Sequence, residues 1–233
     1  MALPKIDLPV FELTLPSTKQ KVKYRPFTVK EEKVLLVAQE SGDAEQELIA
    51  ARQIIGNCVL DADVDKFAMF DLEYFLLTLR ARSVNNNIEF QIKDDETGEM
   101  ITLNLDIEKV QVKYDPDHTD KIKINDEYFL FLRYPTIEEF LKIVALDPKD
   151  PLVNYFIMVS CLDRIESEDE KYMFDDYSDE DVEAFMDGMT GDVIKAIQEF
   201  FVTMPKLRHE MPYTREDGKE RTFVIEGMRS FFS

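Results

Sequence analysis

The feature that most constrains this chain is one order of secondary-structure elements written twice. In the first half Phe11, Leu13 and Leu15 alternate, a turn follows at 16–19, and Val22 and Tyr24 return, the period-two pattern of a β-hairpin. Thr28 with Glu31 three residues on is a capping-box signature that opens a helix. A second helix is predicted from about Asp43 to Cys58. A third starts at Asp71 and puts Leu72, Phe75, Leu76 and Leu79 on one face. Ile88, Phe90 and Ile92, a turn ending at Gly98, and Ile101, Leu103 and Leu105 predict a second hairpin.

From residue 120 the order restarts. Ile122, Ile124, a turn at Asn125-Asp126, then Tyr128, Leu130 and Leu132 read as a hairpin. Thr136 with Glu139 repeats the capping box, and Ile137, Phe140, Leu141 and Val144 form the apolar face behind it. A helix is predicted from about Pro151, a residue suited to a first helical turn, to near Cys161. Val193, Ala196, Ile197 and Phe200 repeat the spacing of the third helix. Leu207, His209, Met211 and Tyr213, a turn at 215–218, and Phe223 and Ile225 close a last hairpin. RPFTVKEEKVLLVA thus faces RYPTIEEFLKIVA, Gly98 faces Gly218, and Cys58 faces Cys161. The capping boxes align at one offset, and the apolar residues after them align better shifted by one.

The expected fold is therefore α+β, with two tandem pseudo-repeated modules, each β-hairpin–helices–β-hairpin. They are expected over 1–114 and 119–233, divided at YDPDHTDK, where aspartates and a proline replace apolar residues. The second module alone carries an acidic insertion at 163–183, with eleven acidic residues against Arg164 and Lys171, and an apolar C-terminal tail. Ser178 with Asp181 is predicted to cap an extra helix that buries Val182, Phe185 and Met186.

A hydrophobic content of 45% over 233 residues is enough for one large core or two small ones. The formal charge of −20 argues against binding a phosphate backbone and against an anionic membrane, and favours basic protein partners. Cys58 and Cys161 have no disulfide or zinc spacing and read as buried hydrophobes in a reducing cytoplasm. MALPKIDLPVFE has no signal-peptide pattern, and VLLVA at 34–38 is far short of a membrane span of roughly 20 residues. The expectation is a soluble, intracellular protein.

The residues offer little chemistry. His118 falls in the linker and His209 on a strand face, neither near a second His or a Cys in sequence, so no metal site or Ser-His-Asp triad is expected. Asp61, Asp63 and Asp65 fit the start of a calcium loop, but Lys66 stands where glycine is needed and Leu72 where a bidentate glutamate is needed. A solvated helix start is the better reading. Lys19, Lys21, Lys23 and Arg25 alternate and read as balance for the acidic surface. No phosphate loop, cofactor site or catalytic residue is expected, and the chain is read as not an enzyme.

Interaction candidates are stronger. Asp169, Tyr172, Phe174, Asp175, Asp176 and Tyr177 mix carboxylates with aromatic rings, a combination suited to a basic, partly apolar partner. Against this stands a solvated loop whose rings pack on their own domain. Met228, Phe231 and Phe232, with Ile225, lie on one side of a short predicted C-terminal helix that docks on its own core or on a neighbour.

LPKIDLPVFELTLPSTKQKVKYRPFTVKEEKVLL, FDLEYFLLTLRARSV and MPKLRHEMPYTREDGKERTFVIEGMRSFF together resemble the baseplate hub subunit and hub-assembly proteins of T-even-type contractile-tailed bacteriophages. The likeness spans most of the chain. It implies a late viral protein in the host cytoplasm that joins the baseplate hub or helps other hub proteins assemble, by protein–protein binding. It assigns no catalytic residue. Some members of this group carry paired cysteines near hairpin tips; here those tips read DDETGE and REDGKE, so no metal knuckle is expected. Incorporation in the virion and homo-oligomerisation stay open. The rival reading is an acidic adaptor or inhibitor that mimics nucleic acid and occupies a basic host protein, motivated by the net charge and the 163–183 run.

Overall fold

The computed structural model describes residues 7–84, 86–146 and 153–227. Seven helices and eleven strands in small antiparallel sheets make the described residues a mixed α+β structure. The contacts divide into two compact units, Met1–Lys113 with Lys206–Ser233, and Tyr114–Pro205.

The first unit opens with β1 (Phe11–Thr14) and β2 (Lys21–Tyr24), where Leu13 lies opposite Val22 and both are buried. α1 (Val29–Ser41) starts where the capping box placed it. Glu31 accepts both the Thr28 N–H at 2.9 Å and the Thr28 hydroxyl at 2.5 Å. α2 (Ala44–Cys58) is capped by Asp43, which accepts the Glu45 N–H at 2.9 Å. α3 (Met69–Ser83) begins two residues before the expected Asp71. The reason is that Asp71 belongs to its first turn: it accepts the Ala68 N–H at 3.3 Å and reaches across to the Ser17 N–H at 2.9 Å and the Ser17 hydroxyl. Leu72, Phe75, Leu76 and Leu79 are all buried, and Tyr24 meets Phe75 edge-on at 5.1 Å. β3 (Asn87–Lys93) and β4 (Met100–Asp106) pair with Ile88 opposite Leu105 and Phe90 opposite Leu103. A short β5 (Gln111–Lys113) follows.

The second unit holds a four-stranded antiparallel sheet in the order β6-β7-β8-β9. β6 (Lys121–Lys123) and β7 (Phe129–Leu132) form the expected hairpin, and α4 (Ile137–Val144) carries the complete Thr136–Glu139 capping box. α5 (Val153–Ser160) follows; the expected helix start at Pro151 lies outside the described residues. The acidic stretch is not a loop added to the module. Its first part is β8 (Leu162–Glu166), which pairs with β7 on one side and with β9 (Lys171–Met173) on the other. Its last part enters α6 (Asp179–Asp187), capped by Ser178, with Val182 and Met186 buried. α7 (Gly191–Thr203) completes the unit. Ile122, Leu130 and Leu132 from the sheet meet Val182, Met186, Val193, Ile197 and Phe200 from α6 and α7 in one core.

The C-terminal hairpin, β10 (Lys206–Thr214) and β11 (Glu220–Glu226), pairs Met211 with Phe223 and His209 with Ile225. β10 also pairs with β5, Lys206 opposite Lys113 and Leu207 opposite Val112. The last hairpin therefore belongs to the first unit, which differs from the modules expected over 1–114 and 119–233. Element order predicts which strands exist; it carries no information about a pairing between segments some 90 residues apart. Tyr213, Arg215 and Arg221 bind the tip of the other hairpin. Arg215 donates to both oxygens of buried Asp94 at 2.7 and 2.6 Å and to Glu96 at 2.7 Å.

Candidate functional site

Within the second unit a cavity of about 440 Å³ opens at one end of the core. Strand alternation builds its floor. Leu130 pairs with Ile165 and Ile165 with Tyr172, so these three side chains share the face that carries Ile122. Beyond the paired residues, Ile124 and Tyr128 flank the β6–β7 turn, which Asn125 holds by accepting the Glu127 and Tyr128 N–H groups at 2.9 and 2.8 Å. The opposite wall is α6. Its capping box sets the register that turns Val182 and Phe185 inward, and Phe174 packs on Phe185 at 5.5 Å. Phe174 and Tyr177 come from a 3₁₀ turn at Phe174–Asp176 and the residue after it.

Three of the predicted partner-binding residues, Tyr172, Phe174 and Tyr177, therefore meet in one cavity. Asp169 does not; it lies in the β8–β9 turn and lines a separate cleft with Lys121 and Phe129. Asp175 and Asp176 are exposed on the 3₁₀ turn and do not line the cavity. Met228, Phe231 and Phe232 lie outside the described residues. The reading from sequence missed Ile124, Tyr128 and Ile165 as part of the site. Their alternation was legible, but only strand pairing shows that they share a wall with Tyr172.

The mouth is electronegative. Tyr172 donates its hydroxyl to Glu170, which pushes the phenol up to about 12. Glu127 and burial raise the neighbouring Tyr128 phenol, and Asp181 stands on the rim. None of the ten described lining residues is basic. Chemically the cavity offers ring faces, aliphatic surface, protonated phenols and carboxylates, a set that suits an apolar group accompanied by a cation. On the opposite face of the sheet Lys121 lies over Phe129 at 4.1 Å and Arg164 over Phe131 at 4.0 Å.

A second constellation occurs once in each unit. Arg25 pairs with Glu31 at 3.0 Å, and its N–H bonds to the Cys58 carbonyl at 3.0 Å. Arg133 pairs with Glu139 through two bonds of 2.8 and 2.6 Å, and its N–H bonds to the Cys161 carbonyl at 2.8 Å. In both cases the glutamate also accepts the N–H of the capping threonine. Burial pushes the thiols up to about 11 at Cys58 and about 12 at Cys161, so both stay protonated and are poor nucleophiles.

The remaining candidates have structural duties. Asp61 accepts the Lys23 N–H at 2.8 Å, Asp63 caps a 3₁₀ turn, and Asp65 pairs with Arg52 through both oxygens. Lys21 pairs with Glu12 at 2.9 Å and Arg25 with Glu31 at 3.0 Å. His118 is not in an open linker. Its ring packs on Phe200 at 5.0 Å, and its nitrogens bond to Thr203 Oγ1 at 2.9 Å and the Tyr134 hydroxyl at 3.0 Å.

Compared with known proteins, residues 8–233 match the family model described as T4 bacteriophage base plate protein. The chain belongs to that family. No curated protein and no solved structure gives a match. As a T4-type baseplate protein its role is structural, in the baseplate of a phage tail. Among its described residues no helix is long and apolar enough to cross a membrane.

Proposed function

We propose that this baseplate protein is a non-enzymatic structural or chaperone-like component in assembly of the baseplate hub, working in the host cytoplasm through protein–protein binding. The observation that carries this reading is the meeting of Tyr172, Phe174 and Tyr177 in one apolar cavity with an acidic mouth, inside a chain whose family match runs from 8 to 233. The hub is favoured because the opening, middle and closing segments resemble hub subunit and hub-assembly proteins. The Arg–Glu–Cys constellation, present once in each unit, supports an internal duplication in which each copy serves as a platform for partners. The test is co-expression with the other baseplate proteins of the same phage, followed by size exclusion. Co-elution with a hub protein is expected; co-elution with none of them sinks the reading. Mass spectrometry of purified virions then separates a permanent subunit from an assembly factor that departs.

The rival reading, an acidic mimic of nucleic acid, rests on the charge of −20 and the 163–183 run. A mimic presents carboxylates in place of phosphates and has no need of an apolar cavity. Here Tyr172, Phe174 and Tyr177, the rings among those carboxylates, all line one cavity, which favours a protein partner.

A further inference from the structure

The cavity in the second unit specifies its guest more narrowly than baseplate membership does. Its walls are ring faces and aliphatic side chains, and its volume of about 440 Å³ falls in the range of roughly 300–1,000 Å³ typical of ligand clefts. Tyr177 is 47% exposed at its edge, a large amphipathic ring left for contact. The charge around the mouth has one sign: Asp181 lines it, and Glu127 and Glu170 bear on the phenols of Tyr128 and Tyr172. A guest carrying carboxylates or phosphates would meet repulsion there, and a guest carrying a cation would be attracted. A second copy of a chain with a formal charge of −20 is disfavoured for the same reason.

We propose that the cavity seats a cationic apolar segment of another baseplate protein, with one large apolar side chain filling it and a neighbouring Lys or Arg meeting Glu127, Glu170 and the tyrosine rings. This rests on the reading that the chain acts by binding proteins, and it names the surface and the chemistry of the partner. A cation over an aromatic face and beside a carboxylate gains from both.

The chain contains no tryptophan, so a tryptophan-bearing peptide reports its own binding by fluorescence. Two such peptides are titrated with the full chain, alike in their Leu, Phe and Trp residues, one interspersed with Lys and Arg and the other with Glu. The cationic peptide is expected to saturate, weakening with salt, and the acidic one not to bind. The E127K/E170K variant changes two exposed residues and should bind the cationic peptide at least roughly tenfold more weakly, the scale of a lost charge-assisted contact. Tyr177→Ala should weaken it through the wall instead. D95K/E216K, with the same change in net charge in the first unit, should bind like the parent chain. Circular dichroism melts establish that each variant is folded.

Equal binding of both peptides, binding of neither, or equal loss in E127K/E170K and D95K/E216K overturns the proposal. So does self-association of the parent chain that Tyr177→Ala abolishes, because a second copy would then be the guest. If the chain co-elutes with baseplate proteins and E127K/E170K does so equally, this proposal fails and the broader function stands. If the parent chain co-elutes with none of them, the broader function fails first.

Discussion

Glu31 and Glu139 show how one side chain can hold a helix start, a strand end and a half-buried cation together. Burial alone would raise the Glu31 carboxyl. Hydrogen bonds from the Thr28 hydroxyl and N–H and from Arg25 outweigh it and bring the carboxyl down to about 2. A depressed carboxyl contributes stability that is complete above its ordinary value of 4.5 and is lost as the pH falls through about 2. Glu31→Gln should thus lower stability by about 1.5–3 kcal/mol at neutral pH, the worth of hydrogen bonds to a charged group. It should also flatten the acid limb of the stability curve, as followed by urea melts between pH 2 and 5. Arg133, the capping Thr136 and their hydrogen bonds likewise hold Glu139 below its usual range against burial, so Glu139→Gln should act in the same direction. The two thiols give an independent check. With both cysteines fully buried, iodoacetamide should leave Cys58 and Cys161 unmodified in the native protein and alkylate both in guanidinium, as read by intact mass.

At the scale of elements, local chemistry decided most starts. The Thr136–Glu139 and Ser178–Asp181 boxes were readable because a cap is a contact between residues three apart. β8 was not readable. It contains Leu162 and Ile165, whose spacing breaks period two, and the structure shows why: the register of β7 with β8 shifts between Phe131 and Leu132. A bulge lets both residues face the core, and sequence alternation cannot reveal it. α3 buries Phe70, Leu72, Phe75, Leu76, Leu77 and Leu79 in the first unit. Phe75 is fully buried between Tyr24, at 5.1 Å, and Phe67, at 6.1 Å. Phe75→Ala should lower unfolding free energy by about 3–5 kcal/mol, measured by chemical denaturation followed by circular dichroism.

On the scale of the molecule, the decisive contacts join segments far apart in the chain. The turns after β3 and β10 each contain a glycine at positive φ, Gly98 at 74° and Gly218 at 80°, where an L side chain is strained. Yet the residues opening those turns, Asp94 and Arg215, carry opposite charges and bind each other. Arg215 and the hydrogen bonds of the turn hold the Asp94 carboxyl well below the usual carboxylate range. Arg215→Leu should lower the melting temperature more than Arg221→Leu, since Arg221 is an exposed partner of Glu96. The Arg215→Leu/Asp94→Leu pair should recover part of the loss, because it leaves no uncompensated charge. Equal melting temperatures for the two single variants would count against the bridge as the clasp of the C-terminal hairpin.

By itself the sequence determined the α+β class, the helix caps, the hairpins and the family resemblance. Each is written in residues close together along the chain, where spacing maps directly onto a helix face or a strand face. Tertiary structure alone decided that β10 pairs with β5, that the acidic stretch supplies two strands of a sheet, and that Tyr172 and Tyr177 share a cavity with Ile124 and Phe185. Those outcomes depend on which distant apolar faces close on one another. Many partners satisfy the same local pattern, and burial of the whole core selects among them.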